Sequence, residues 1–312
     1  MSKAYQIRLG GYGPPDTSFS QSLKLIGDKL INQFGNDVDI KYIYNIMDLG
    51  FKGEDILWLT ENGFLTISYQ SSSYLTDRVP ELGFVDLPFL FKNNTQARNA
   101  MDGDLGKYLS KKTEERINYK ILGYFENGFR QISNKIRPIY TPNDFQGMSI
   151  RVLPSDVQVR TFELLGANPK RLDLTEAIAG VVDGSLDAQE NPFTNTVTYG
   201  VYKHHKYHTH SNHFYISRSI MCNRTAYYEW PEELKIATAE AVQEAILWQR
   251  NRAEKEVIEA QNTIKNEGHE IIELTPAQQA LFSVAVKPQH DDAREIFGNK
   301  MFKLLENSNQ ES

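Results

Sequence analysis

A chain of 312 residues with 40% hydrophobic and 24% charged side chains has the make-up of a folded protein, with enough core for two ordinary lobes. Its formal charge of −6 argues against sequence-independent nucleic-acid binding, which needs Lys and Arg set against phosphates, but leaves room for a local cationic pocket. A single cysteine, Cys222, excludes an intrachain disulfide and a Cys-rich zinc site, and no apolar run approaches the roughly 20 residues of a membrane-spanning helix.

The first third alternates strand and helix patterns. "YQIRL" (5–9) reads as a strand with no apolar leader before it, so any export signal is expected to have been removed ahead of Met1. The turn-rich "GGYGPPD" follows. Phe19, Leu23, Ile26, Leu30 and Phe34 then recur at helical spacing in residues 17–34. "VDIKYIY" (38–44) and "FLTISY" (64–69) are the next strands, with a helix expected around 52–62. This β-α-β-α-β order implies a parallel sheet covered by helices. Residues 95–116 read as helical and "YKILGYF" (119–125) as a strand.

A second block opens with strands near 129–134 and 148–152. Helices follow from Ser155 to Leu165 and from about Thr175 to Val182, where Ser155 and Thr175 are expected N-caps, and then a strand through "LDAQE". Residues 230–266 read as one long helix, with Pro231, Glu232 and Glu233 suited to its start. A kinked pair of helices is the alternative. The tail "ENSNQES" is expected to fray.

Enzyme signatures are mostly missing. "GGYGPP" is interrupted by Pro14-Pro15 and is no dinucleotide fingerprint, and "HEIIE" (269–273) lacks the second histidine of a zincin. Cys222 reads as a buried thiol. "HHKYHTH" with His213 holds five of the seven histidines; His208 and His210 would share a strand face, yet no further ligand completes a metal set. No metal and no cofactor is therefore expected.

One charge stands out. In "GMSIRV", Ile150 and Val152 point to one face of a strand and Arg151 to the other. Either Arg151 faces water on an edge strand, or it lines a cleft and grips an anion with a fork that matches a carboxylate's two oxygens. Arg130 in "ENGFRQIS" could face the same opening. Asn191 in "DAQENPFTNT" reads as the N-cap of a helix begun by Pro192, and Gln70, Ser71 and Ser72 follow a first-lobe strand with neutral hydrogen-bonding groups. Plain capping and a plain polar loop are the bland alternatives.

These segments resemble the extracytoplasmic solute-binding receptors of tripartite ATP-independent periplasmic (TRAP) transporters, the DctP-like family. The likeness runs through "VPELGFVDLPFLF" (79–91), "NGFRQISNKIRPI" (127–139), "TPNDFQGMSIRVLPS" (141–155) and "LGANPKRLDLTEAIAGVVDGSLDAQENP" (165–192), covering nearly the whole chain in order. "DAQENP" departs slightly from the commoner "DGQENP". The resemblance implies an α/β, two-lobed periplasmic-binding-protein-like fold with a ligand cleft between the lobes and a long helix spanning both. Lobe I would take residues 1–126 plus about 214–252, and lobe II 127–213 plus about 253–312. It implies a periplasmic, monomeric, non-enzymatic receptor that delivers a small organic acid to TRAP membrane subunits. Arg151 inherits the carboxylate contact, Arg130 the second cationic contact and Asn191 the amide contact. Leu174 takes the place of a wall residue, and Tyr12, Gln70, Ser71, Ser72 and His213 fall in ligand-facing regions. The competing readings are an α/β enzyme acting on a small carboxylic acid, with a histidine or Glu190 as base, and a receptor feeding a sensor kinase.

Overall fold

The computed structural model describes residues 4–308, and within them the chain forms two compact units. Unit 1 comprises residues up to Ser72, Gly106–Glu126 and Ser217–Ala253; unit 2 comprises Ser73–Leu105, Asn127–Ile216 and Glu254 onward. Residues 73–105, grouped with the first lobe on chain order, thus cluster with the second unit. Of the tail "ENSNQES", residues up to Ser308 are helical and the last four lie outside the described residues.

In chain order the first elements are β1 (Tyr5–Gly10), α1 (Ser18–Phe34), β2 (Val38–Ile43), α2 (Ile56–Glu61) and β3 (Ile67–Ser71). Both β2 and β3 pair with β1 in parallel, as the β-α-β order requires. Thr17 caps α1 by accepting the Ser20 N–H, and the apolar stripe Leu23, Ile26 and Leu30 is fully buried. The helical reading of 95–116 resolves into α3 (Asn94–Asp102) and α4 (Asp104–Arg116), parted at Gly103.

The strands expected at 119–125 and 129–134 are one, β4 (Tyr119–Asn134), which passes from unit 1 into unit 2. Within unit 1 it carries Gly123 at φ +151°, where a Cβ would stand 2.6 Å from Ile246 Cδ1. Then come β5 (Ser149–Val152), α5 (Asp156–Leu164), β6 (Asn168–Arg171), α6 (Leu174–Val182), β7 (Ala188–Asn191) and α7 (Phe193–Thr198). In unit 2, β4 and β7 are antiparallel, whereas β7, β5 and β6 run parallel. One core of this unit gathers Ile132, Ile150, Val152, Phe162, Phe214 and Phe282, all at most 1% exposed.

The last elements are β8 (Tyr207–Asn223), α8 (Arg224–Glu229), α9 (Glu232–Asn266), β9 (Glu270–Glu273), α10 (Pro276–Ala285) and α11 (Lys287–Ser308), the last broken at Gly298. In unit 1 the end of β8 pairs antiparallel with β3, and in unit 2 its start pairs in parallel with β9. The long helix is continuous over 35 residues, with Glu232 and Glu233 in its first turn and Lys265 in its last. No glycine or proline interrupts it, and the kinked alternative falls away.

Three caps differ from expectation. Ser155 precedes α5 but its hydroxyl makes no capping bond. The cap of α6 is Asp173, whose carboxylate accepts the Thr175 N–H, so Thr175 is inside the helix it was expected to begin. Pro192, not Asn191, occupies the cap of α7, because Asn191 is still the last residue of β7.

Candidate functional site

Arg151 is 1% exposed, which removes the edge-strand alternative. Its Nε donates to the Leu172 carbonyl oxygen at 2.9 Å and its Nη2 to the Tyr74 hydroxyl at 3.0 Å. The same hydroxyl accepts the Leu174 N–H at 3.1 Å, so one phenol oxygen ties the guanidinium to the first residue of α6. Both acceptors of Arg151 are neutral, and among the described residues it forms no ion pair. A buried cation without a carboxylate is expensive unless its charge is matched when the protein works.

Arg130 is placed quite differently. It is equally buried, but Glu190 closes it: Nε and Nη2 donate to the two carboxylate oxygens, the second at 2.8 Å, and Nη2 also donates to the Glu190 carbonyl at 2.7 Å. The strand register sets the two arginines on different faces of the sheet. Arg151 stands opposite Gln189, and Gln131 opposite Asn191, so these share one sheet face; Ile150, Ala188, Ile132 and Glu190 share the other. Arg130 serves Glu190 on that second face. A carboxylate 60 residues away was invisible to the spacing that paired the arginines.

His213 belongs with this pair. Its Nε2 is 3.6 Å from Glu190 Oε2, an electrostatic contact beyond hydrogen-bond length, while its Nδ1 meets Ser211 Oγ at 2.7 Å. Burial pushes its pKa down, against the pull of Glu190. Burial would raise the Glu190 carboxyl, but Arg130 and His213 outweigh it and hold it below the ordinary value. Asp86, fully buried and accepting from Ser73 Oγ at 2.8 Å, is pushed up to about 6 by burial.

Asn191 lies on the Arg151 face. Its Oδ1 accepts from Asn195 Nδ2 at 3.1 Å and its Nδ2 donates to Gln189 Oε1 at 3.3 Å, so a small amide network lies beside the arginine's strand. Leu174 is buried at the head of α6, held there by its backbone bond to Tyr74.

The unit 1 candidates form their own cluster. Gln70 is turned inward, donating to the Gly53 carbonyl at 3.0 Å and accepting the Ser71 N–H at 2.8 Å. Ser71 is buried, and Ser72 Oγ lies 3.2 Å from Ser219 Oγ. Tyr12 stacks obliquely with Tyr69 at 5.2 Å. Arg218, opposite Ser71 in the sheet, lies over Phe19 at 3.9 Å, Tyr12 at 5.0 Å and Tyr69 at 5.5 Å. Arg218 and Tyr74 went unnoticed in the sequence, although "FYISRSIMC" carries the same signal as "GMSIRV", an arginine within an apolar strand.

The histidines of the run take separate partners. His208 is buried against the His205 carbonyl, whereas His210 turns to Glu273 at 2.8 Å. Among the described residues no group of three His, Cys, Asp or Glu side chains could hold a metal ion, and no helix is long and apolar enough to cross a membrane.

Comparison with known proteins agrees with this architecture. The chain is 28% identical over 246 residues to the C4-dicarboxylate-binding protein DctB of Bacillus subtilis, covering 78% of this chain and 70% of that protein. It is 27% identical over 230 residues to the 2,3-diketo-L-gulonate-binding periplasmic protein YiaO of Escherichia coli, covering 74% and 69%. Among solved structures, the sugar acid binding protein DctPAm of Advenella mimigardefordensis, in complex with galactonate, superposes with a TM-score of 0.93 at 24% identity over 99% of both chains. A TRAP periplasmic solute-binding protein of Sulfurospirillum deleyianum with bound succinate gives 0.89 at 25% identity, over 98% of this chain and 99% of that one. Residues 14–296 match the DctP family, described as bacterial extracellular solute-binding protein, family 7, and the chain belongs to that family.

Proposed function

We propose that the protein is an extracytoplasmic receptor that captures a small organic acid and hands it to the membrane subunits of a TRAP-type permease, with Arg151 as the carboxylate partner. The observation that carries this reading is the state of Arg151: buried, oriented by two neutral oxygens, and without an acidic partner among the described residues. A guanidinium fixed in this way needs no reorganisation to receive a carboxylate, and each charge-assisted hydrogen bond contributes about 1.5 to 3 kcal/mol. Asn191, on the same sheet face, supplies an amide beside it, and Leu174 an apolar wall at the head of α6.

Arg130 takes a different role in this reading. Its charge is matched by Glu190, and it braces β4 against β7. The bound galactonate and succinate of the similar structures support an acid ligand, and the α/β-enzyme alternative finds no support in the comparisons.

The test is a thermal-shift screen of the wild-type protein against hydroxy, keto, dicarboxylic, uronic and aromatic acids, followed by calorimetry on the best. Arg151→Ala should abolish measurable binding while leaving the circular dichroism spectrum unchanged. Unchanged affinity in that variant, or steady conversion of the bound acid to product, would remove the assignment.

A further inference from the structure

Beside Arg151, the head of α6 encloses an oxygen that capping does not use. Asp173 is 3% exposed. Its Oδ2 accepts the Thr175 N–H at 2.9 Å, the side chain also takes the Glu176 N–H in a capping box, and its own N–H is taken by the Glu176 carboxylate at 3.3 Å. Its Oδ1 is fully enclosed and makes no hydrogen bond. A helix cap needs one acceptor oxygen, so the second is surplus to the fold, and a buried carboxylate oxygen left without a donor is costly.

The surroundings of that oxygen connect it to the acid site. Leu172, immediately before it, accepts from Arg151 Nε, and Leu174, immediately after it, donates to the Tyr74 hydroxyl that Arg151 Nη2 also binds. Asp173 is therefore the middle of a three-residue segment tied at both ends to the same guanidinium and phenol. It does not neutralise Arg151, since no ion pair joins them among the described residues. At one place the chain holds a donor fork that wants an anion and an acceptor oxygen that wants a hydrogen.

We infer that Asp173 Oδ1 accepts a hydroxyl of the bound acid and so selects a hydroxylated carboxylate over its deoxy counterpart, an inference that rests on the carboxylate reading of Arg151. A ligand with only carboxylate oxygens would bring acceptor against acceptor. A hydroxy acid complements both groups at once, and a site built to pair a hydroxyl rejects the analogue that lacks it.

The experiment uses matched pairs that differ in hydroxylation: lactate with propionate, malate with succinate, gluconate with hexanoate. Calorimetry is run on wild type, Asp173→Ser and Asp173→Gly, two residues that serve as helix caps but lack Oδ1. Wild type should prefer the hydroxylated member of at least one pair by about ten- to a hundred-fold, the value of a hydrogen bond to a charged group. In both variants that ratio should fall toward one with the melting temperature near that of wild type. If wild type binds both members of every pair equally, or if the variants keep the wild-type ratio, Asp173 is a helix cap only and the inference is overturned. Should Asp173→Ser fail to fold, Asp173→Gly and the wild-type ratio still decide. If wild type binds no acid of any pair but does bind another acid of the wider screen, this inference alone is overturned; if it binds none of either set, the carboxylate reading falls as well.

Discussion

Glu190 holds Arg130 with its side chain and its backbone together, the carboxylate meeting Nε and Nη2 and the carbonyl accepting from Nη2 at 2.7 Å. Both residues are at most 1% exposed, so neither charge has water to fall back on. Removing one partner leaves the other buried and uncompensated, which costs about 3 to 5 kcal/mol. Glu190→Ala should therefore lower unfolding free energy by that amount in urea titrations, whereas the double change Arg130→Met with Glu190→Leu should recover most of it. A loss under about 1 kcal/mol for the single change would contradict the pairing.

Tyr74 orients the proposed acid contact without touching the acid in this reading. Its hydroxyl accepts from Arg151 Nη2 and from the Leu174 N–H. Tyr74→Phe keeps the ring but leaves both donors short of an acceptor, at a stability cost of about 1 to 3 kcal/mol. A freed guanidinium must then be ordered by the ligand itself, so acid affinity should drop about ten-fold. Calorimetry on the best acid from the screen checks this, and an affinity equal to wild type would show that Leu172 alone fixes the arginine.

The parts of this molecule that were legible in its sequence are those fixed by short-range pattern. Leu23, Ile26 and Leu30 announced α1, and an unbroken run free of glycine and proline announced α9. Arg151 was legible because a charge between Ile150 and Val152 breaks a strand's apolar pattern. Arg218 gave the same signal and was passed over, since the rings that cover it come from positions 12, 19 and 69, far off in sequence. The Arg130–Glu190 pair was hidden for the same reason: only the register of β4 against β7 reveals it. The cap of α6 was missed by two residues because Asp173 and Thr175 are both good capping residues, and backbone geometry alone separates them.

Arg218 makes a prediction confined to unit 1. Its guanidinium lies 3.9 Å over the centre of Phe19, with Tyr12 and Tyr69 at 5.0 and 5.5 Å. A desolvated cation–π contact is worth up to about 2 kcal/mol. Arg218→Met preserves much of the stem's packing and removes the charge, so it should lower stability by about 1 to 2 kcal/mol in thermal or urea unfolding. A variant as stable as wild type would show that the stack is held by apolar contact alone.

The buried histidines set the acid limb of stability. Burial pushes His205 down to about 3 and His208 down to about 4 from an ordinary 6.5, and lowers His213 as well. His205 and His208 stay neutral in the fold where the unfolded chain would take up a proton, and His213 is shifted the same way, so between pH 6.5 and 4 the unfolded state binds more protons and stability falls as pH falls. Asp86 works in the opposite sense. Burial raises it to about 6 from 3.8, so the fold holds a proton there that the unfolded chain releases, and stability from this group is lost as pH rises through that window. His205 and His208 against Asp86 leave a net loss on acidification, with His213 adding in the same direction, and each group is worth about 1.4 kcal/mol per pH unit while its protonation differs between the two states. Urea unfolding at pH 7, 6 and 5 should show stability declining with acid. His208→Gln should flatten the slope by about one proton and Asp86→Asn should steepen it by as much. A His208→Gln slope identical to wild type would mean that the buried imidazole is already protonated in the folded protein.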